Sequence, residues 1–145
     1  MSTTLLVTSK DFIDVDMSFA KHPASKNILI KKNVNAVKQS VLNLMRLRSG
    51  DVPFHPEIKS PVYDFFFENT TSITKIVIES EVKNYLRAFE PRLEVIEVVV
   101  TFPDENSIDC KIVGNIINIS TLVTINVLVD KLSGVIPPTV PVTTP

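Results

Sequence analysis

The sequence predicts an α+β domain in which two main helices and a short one pack on a three-stranded antiparallel sheet. An extended N-terminal arm (residues 1–32) precedes this domain (residues 33–132), and a Pro/Thr-rich tail (residues 133–145) follows it. Three observations predict this arrangement. Apolar residues recur at helical spacing in two stretches between Asn33 and Phe89. The period drops to two after Arg92. Prolines and Gly50 punctuate the chain where one pattern gives way to the next. Such a change of period, bounded by turn residues, is the sequence mark of helices followed by strands.

The arm carries Phe12, Ile13, Val15, Met17 and Phe19, enough apolar surface to lie along the domain without a helical pattern of its own. From Asn33, read as an N-cap, Val34, Val37, Val41, Leu44 and Met45 line one face of a helix ending near Arg48. Gly50 can adopt the left-handed conformation that closes helices, and Pro53, Pro56 and Pro61 keep the following segment irregular. Pro61 suits the first turn of a short helix, with Phe65, Phe66 and Phe67 expected in the core. A second long helix starts at Thr71 or Ser72, whose hydroxyls can cap it, and buries Ile78, Val82, Tyr85, Leu86 and Phe89. Glu79, Lys83 and Arg87 fall four apart and read as a solvated face. Pro91 stops this helix, because proline disfavours helical geometry in the residue before it and has no amide hydrogen to give.

Beyond Arg92 the alternation sets Ile96, Val98, Val100 and Phe102 on one side of a strand. Residues 103–106 (Pro, Asp, Glu, Asn) are turn chemistry, and Ile108, Cys110 and Ile112 resume the alternation. Gly114 marks a bulge or the strand end. A third strand directs Val123, Ile125, Val127 and Val129 one way and Leu122, Thr124, Asn126 and Leu128 the other. The tail, with four prolines and no charge from Val135 onward, reads as extended or disordered.

Composition narrows the function. With 44% hydrophobic residues, 21% charged residues and a net charge of −1, the chain has no basic excess for nucleic acid. Its apolar runs are too short for a bilayer span, and its start lacks a secretory signal pattern. Cys110 is the only cysteine, so no intramolecular disulfide can form, and it alternates like a buried strand residue. His22 and His55 lie far apart beside prolines and form no ligand pair, and no cofactor-binding or metal-binding motif is present.

Two candidate partner sites remain. Glu90, Pro91 and Arg92 pin two long, oppositely charged side chains at a rigid corner. The residues themselves allow either a local structural ion pair or a fork presented to a partner. The third strand is the other candidate: a small open sheet leaves unpaired edge groups that another chain can satisfy. On that strand Leu122, Thr124, Asn126 and Leu128 face outward with more apolar surface than water requires, which either a partner or a helix or the tail of the chain itself can cover.

Several segments, taken in order, resemble the baseplate wedge or sheath-initiator family of contractile phage tails. Asp14 to Phe19 is similar to the family's aspartate-containing opening segment, and Ala36 to Ser40 to its first helix. Gly50, Pro53, Phe54 and Pro56 match its loop, Phe66, Phe67 and Glu68 the segment after it, and Glu90, Pro91 and Arg92 its signature. Val52, Ile58, Lys59 and Phe89 depart from the usual pattern. The resemblance implies a structural protein of the virion tail baseplate, assembled in the bacterial host cytoplasm in multiple copies around the tail axis. It implies no cofactor, nucleic acid or membrane. It further implies that Glu90 and Arg92 contact other wedge proteins, with tube or hub proteins nearby, and that the third strand accepts an extended arm of the tail sheath protein. The equivalent subunit of a type VI secretion or contractile bacteriocin baseplate is the alternative. A lysozyme-like glycosidase is the rival class, because relatives have carried that label. It needs two carboxyls, one with a raised pKa. Glu90 and Glu94 are the nearest candidates, and Arg92 between them favours the ionised form.

Overall fold

The protein is described by a computed structural model covering residues 11–119 and 121–136. Strands β1 (Ile13–Val15) and β2 (Ile30–Lys32) form a two-stranded antiparallel ribbon. It leads into helix α1 (Asn33–Arg46), a 3-10 helix (Pro61–Phe65) and helix α2 (Ser72–Phe89). A main sheet follows, built from β3 (Leu93–Asp104), β4 (Ser107–Ile116), β5 (Thr121–Asp130) and β6 (Gly134–Ile136). Its four strands run antiparallel in the order β3-β4-β5-β6.

The sheet is therefore four-stranded, which corrects the three strands expected from the sequence. The missed strand lies where the proline-rich tail was expected to begin. Asp130 Oδ1 accepts hydrogen bonds from the amides of Leu132 (2.9 Å) and Ser133 (2.7 Å), and Gly134 takes φ +77°. An aspartate at the turn start and a glycine in the left-handed region reverse the chain in a few residues, as in short hairpin loops. The expected tail beyond Ile136 lies outside the described residues. The expected arm is a folded ribbon over residues 13–32, packed against α1.

One side of the sheet carries the core. Val100, Cys110, Ile112, Ile116, Val127 and Val129 are fully buried against Val37, Val41 and Met45 of α1 and Ile78, Val82 and Leu86 of α2. Burial pushes the Cys110 thiol up to about 12, so it stays protonated and inert. The Tyr85 hydroxyl, likewise raised to about 12 by burial, donates to the Leu44 carbonyl at 3.0 Å and ties α2 to α1.

Local chemistry accounts for most boundaries. Thr71 Oγ1 accepts from the Thr74 amide at 3.1 Å and caps α2, and α2 ends at Phe89, before Glu90 and Pro91. Three details differ from the periodicity. Asn33 does not cap α1 through its side chain; it adopts φ +50° and accepts from the Phe12 amide at 3.1 Å. Phe67, expected in the core, is 83% exposed, with Lys131 Nζ 4.3 Å from its ring centroid. Ile96, expected inside with Val98, is exposed, because the β3–β4 register shifts between Val95 and Glu97. That bulge faces Gly114, where an added Cβ would lie 2.7 Å from the Glu94 carbonyl oxygen. The bulge belongs to β3, and Gly114, inside β4, is the residue small enough to let it approach.

Candidate functional site

Glu90 ends α2, Pro91 turns the chain, and Arg92 leads into β3. The Leu93 amide donates to the Glu90 carbonyl at 3.1 Å and closes that turn. The Glu90 side chain is buried, at 2% exposure. Arg92 grips it with two parallel bonds, Nε to Oε1 at 2.7 Å and Nη2 to Oε2 at 2.9 Å. Its remaining terminal nitrogen, Nη1, donates to both carboxylate oxygens of Asp14 at 3.2 and 3.0 Å. The guanidinium carbon lies 5.7 Å from the Phe12 ring centroid. One arginine thus joins the α2–β3 corner to the N-terminal ribbon.

Two effects oppose each other at Glu90. Burial alone raises its carboxyl pKa, but hydrogen bonds from Arg92 and Ser40 and the Arg92 charge outweigh it and hold the group below its ordinary value. The bonds to Glu90, opposed by burial and helped by Asp14, push the Arg92 guanidinium up. The pair is ionised across any physiological pH, and the carboxyl is moved the wrong way for a general acid.

The outward face of β5 is the second candidate. Leu122 is 62% exposed, Thr124 and Asn126 are exposed, and Leu128 is half-buried. On the edge facing away from β4, β6 pairs only with Leu128, Val129 and Asp130. Among the described residues nothing pairs with Thr121–Val127 there, which leaves most of a strand edge with unfilled backbone groups.

The structure does not bring the two candidates together. The corner lies at the start of β3, on one outer side of the sheet, and the open edge of β5 lies toward the other. Asp14, the third member of the corner, was quoted in the sequence only as part of the opening segment. Its pairing with Arg92 spans 78 positions, and no local signal announces it. The ribbon also exposes Ile13, Val15, Met17, Ile28 and Ile30, an apolar strip legible only as alternation within the arm. Among the described residues no group of three or more His, Cys, Asp or Glu side chains is placed to hold a metal ion, and no helix is long and apolar enough to cross a membrane.

Known proteins resemble this chain in sequence or in fold. The baseplate wedge protein gp25 of Enterobacteria phage T4 is 29% identical over 92 residues, covering 63% of this chain and 69% of that protein. A crystal structure described as a putative tail lysozyme from Geobacter sulfurreducens shares the fold at TM-score 0.59 and 21% identity, over 65% of this chain and 86% of that one. A chain in the cryo-EM structure of the anti-feeding prophage baseplate does so at TM-score 0.57 and 19% identity, over 83% and 86%. Residues 31–120 match the family described as baseplate wedge protein gp25, a span that holds both helices, the Glu90–Arg92 corner, and strands β3 and β4. The chain belongs to the baseplate wedge protein gp25 family of contractile tails.

Proposed function

We propose that this chain joins wedge proteins around the tube of a contractile tail and offers its β5 edge to an extended arm of a sheath subunit, so that the first sheath ring is laid down on it. Membership of the wedge family makes it a structural protein of the tail baseplate, with other baseplate proteins as partners. The observation that carries the finer reading is the outer side of Thr121–Val127, which no strand pairs among the described residues and which includes the exposed Leu122. Backbone bonds to such an edge give affinity, and alternate side chains give specificity.

The corner supports a second contact. Glu90 is sealed in, while Arg92 and Asp14 keep side-chain exposures of 24% and 32%. A carboxylate on a wedge-protein helix reaches Arg92 by displacing Asp14 from Nη1, the more exposed side of the pair. A purely structural role fits the ionised, saturated state of Glu90, and the lysozyme description belongs to the Geobacter protein.

The test mixes the purified chain with the wedge and sheath proteins encoded beside it and, separately, with peptidoglycan. Native mass spectrometry, hydrogen exchange and glycan release are followed together. A heteromeric complex that slows exchange at the β5 amides, with no sugar released, is the expected result. A sheath complex that leaves those amides as fast as before removes strand addition. Sugar release abolished by Glu90→Gln removes the structural reading altogether.

A further inference from the structure

We infer that Glu79 and Lys83 guard the middle of the β3 edge, so that, of the two sides of the main sheet, an extended partner strand adds on the β5 side. The inference rests on the strand-addition reading only for the identity of the open edge. Strand β3 is an outer strand with β4 as its one strand neighbour, so its far side has backbone groups to satisfy. Two side chains of α2 reach them. Glu79 Oε1 accepts from the Val100 amide at 3.0 Å, and Lys83 Nζ donates to the Ile96 carbonyl at 2.8 Å.

The chemistry of this pairing is complementary: a carboxylate meets an N–H, and an ammonium meets a C=O. It reproduces the acceptor and donor that a neighbouring strand would present, and it does so with charged groups that another strand cannot extend. The two residues are one helical turn apart on α2 and four positions apart on β3, in opposite chain directions. A helix running back antiparallel to the strand holds both bonds at once. Lys75 Nζ, 3.9 Å from Glu79 Oε1, adds a positive charge beside the same carboxylate.

The chain uses the same device a second time. The Gln39 side chain accepts from the Met17 amide at 3.2 Å and donates to the Val15 carbonyl at 2.8 Å, covering the outer edge of β1 with one amide group. On the far side of β5 the only strand paired among the described residues is β6, over Leu128–Asp130, and no side chain there bonds to the backbone of Thr121–Val127. Of the two edges of the main sheet, one is thus answered by side chains along α2 and the other is left open over most of a strand. Strand addition to the main sheet is thereby biased to one side, which disfavours edge-to-edge polymerisation through β3.

The probe is a synthetic peptide of alternating Thr and Val with Lys at each end, about ten residues long, the upper length of ordinary strands. It is added to the full chain and to the Glu79→Ala/Lys83→Ala variant, with stoichiometry read by native mass spectrometry and the Val100 amide by hydrogen exchange. One peptide on the wild type and two on the variant, with the free variant's Val100 amide exchanging at least about tenfold faster, is the expected result. A wild type that takes none and a variant that takes one would support the β3 guard while removing β5 as acceptor. A folded variant that takes no more peptide than the wild type overturns the inference. The Glu79→Gln/Lys83→Arg variant keeps an acceptor and a donor and should behave as wild type. If the double alanine variant fails to fold, Glu79→Ala alone decides: a Val100 amide as slow as in the wild type overturns the inference.

Discussion

The corner at Glu90–Arg92 and the edge at β5 were both candidates for a partner contact, and the structure sets them apart by how far each satisfies itself. At the corner both oxygens of a buried carboxylate, three nitrogens of a guanidinium and a second carboxylate are paired within the chain. Along β5 the described residues leave Thr121–Val127 without strand partners on one side. A saturated site costs folding energy when altered; an unsaturated one costs binding. The difference makes the corner a joint of the fold, tying helix, strand and N-terminal ribbon together, and leaves the edge as the surface on which the proposed strand addition depends.

Removing Arg92 should show the largest effect. Arg92→Ala leaves the Glu90 carboxylate buried without its partner, and breaking one half of such a pair costs about 3 kcal/mol. Urea unfolding should show that loss, together with faster hydrogen exchange in β1. A variant as stable as wild type would move the corner into the same class as the edge. Acid probes the same pair next. Glu90 has a lowered pKa in the folded state, so its contribution is complete above the ordinary value of 4.5 and is lost as pH falls through the depressed folded value. The wild type should therefore lose stability more steeply than Glu90→Gln below about pH 4.5. Parallel slopes would mean that the hydrogen bonds at Glu90 do not discriminate its charged form.

Smaller changes sharpen the contrast. Asp14→Asn keeps a hydrogen-bond acceptor but removes the charge on the exposed side of Arg92, and should cost about 0.5 to 1 kcal/mol. If a wedge carboxylate approaches from that side, the same substitution should tighten wedge binding rather than weaken it, which calorimetry can read. On β5, Thr124→Asp should alter stability by no more than about 0.5 kcal/mol, because the side chain faces water. Its effect should fall on sheath binding, as a measurable rise in Kd, and a large drop in melting temperature would show that the face is already covered.

How much of this was legible depends on how far apart the interacting residues lie. Thr71 as cap, Pro91 as helix stop, the turn at residues 103–106 and the buried stripe of α2 were readable, since each rests on a few adjacent residues. The strand at Gly134–Ile136 was missed although its turn was written in Asp130 and Gly134; the prolines after it drew the whole segment into the tail. Ile96 was misplaced because a bulge adds one residue to an alternation that otherwise counts by two. The solvated face assigned to Glu79 and Lys83 was misread for another reason: a charged side chain at an exposed helical position looks the same whether it meets water or a strand edge.

The sequence by itself determined the α+β class, the cap and stop of α2, the hairpin turn and the buried cysteine, each carried by residues within a turn or two of one another, and the family resemblance, carried by short segments in a fixed order. Only the tertiary structure decided that Arg92 closes on Asp14 across 78 positions, that α2 guards β3, and that β6 covers just the end of β5. Those outcomes follow from the packing that brings distant backbone and charged groups within bonding reach, and no local pattern specifies which partner will be there.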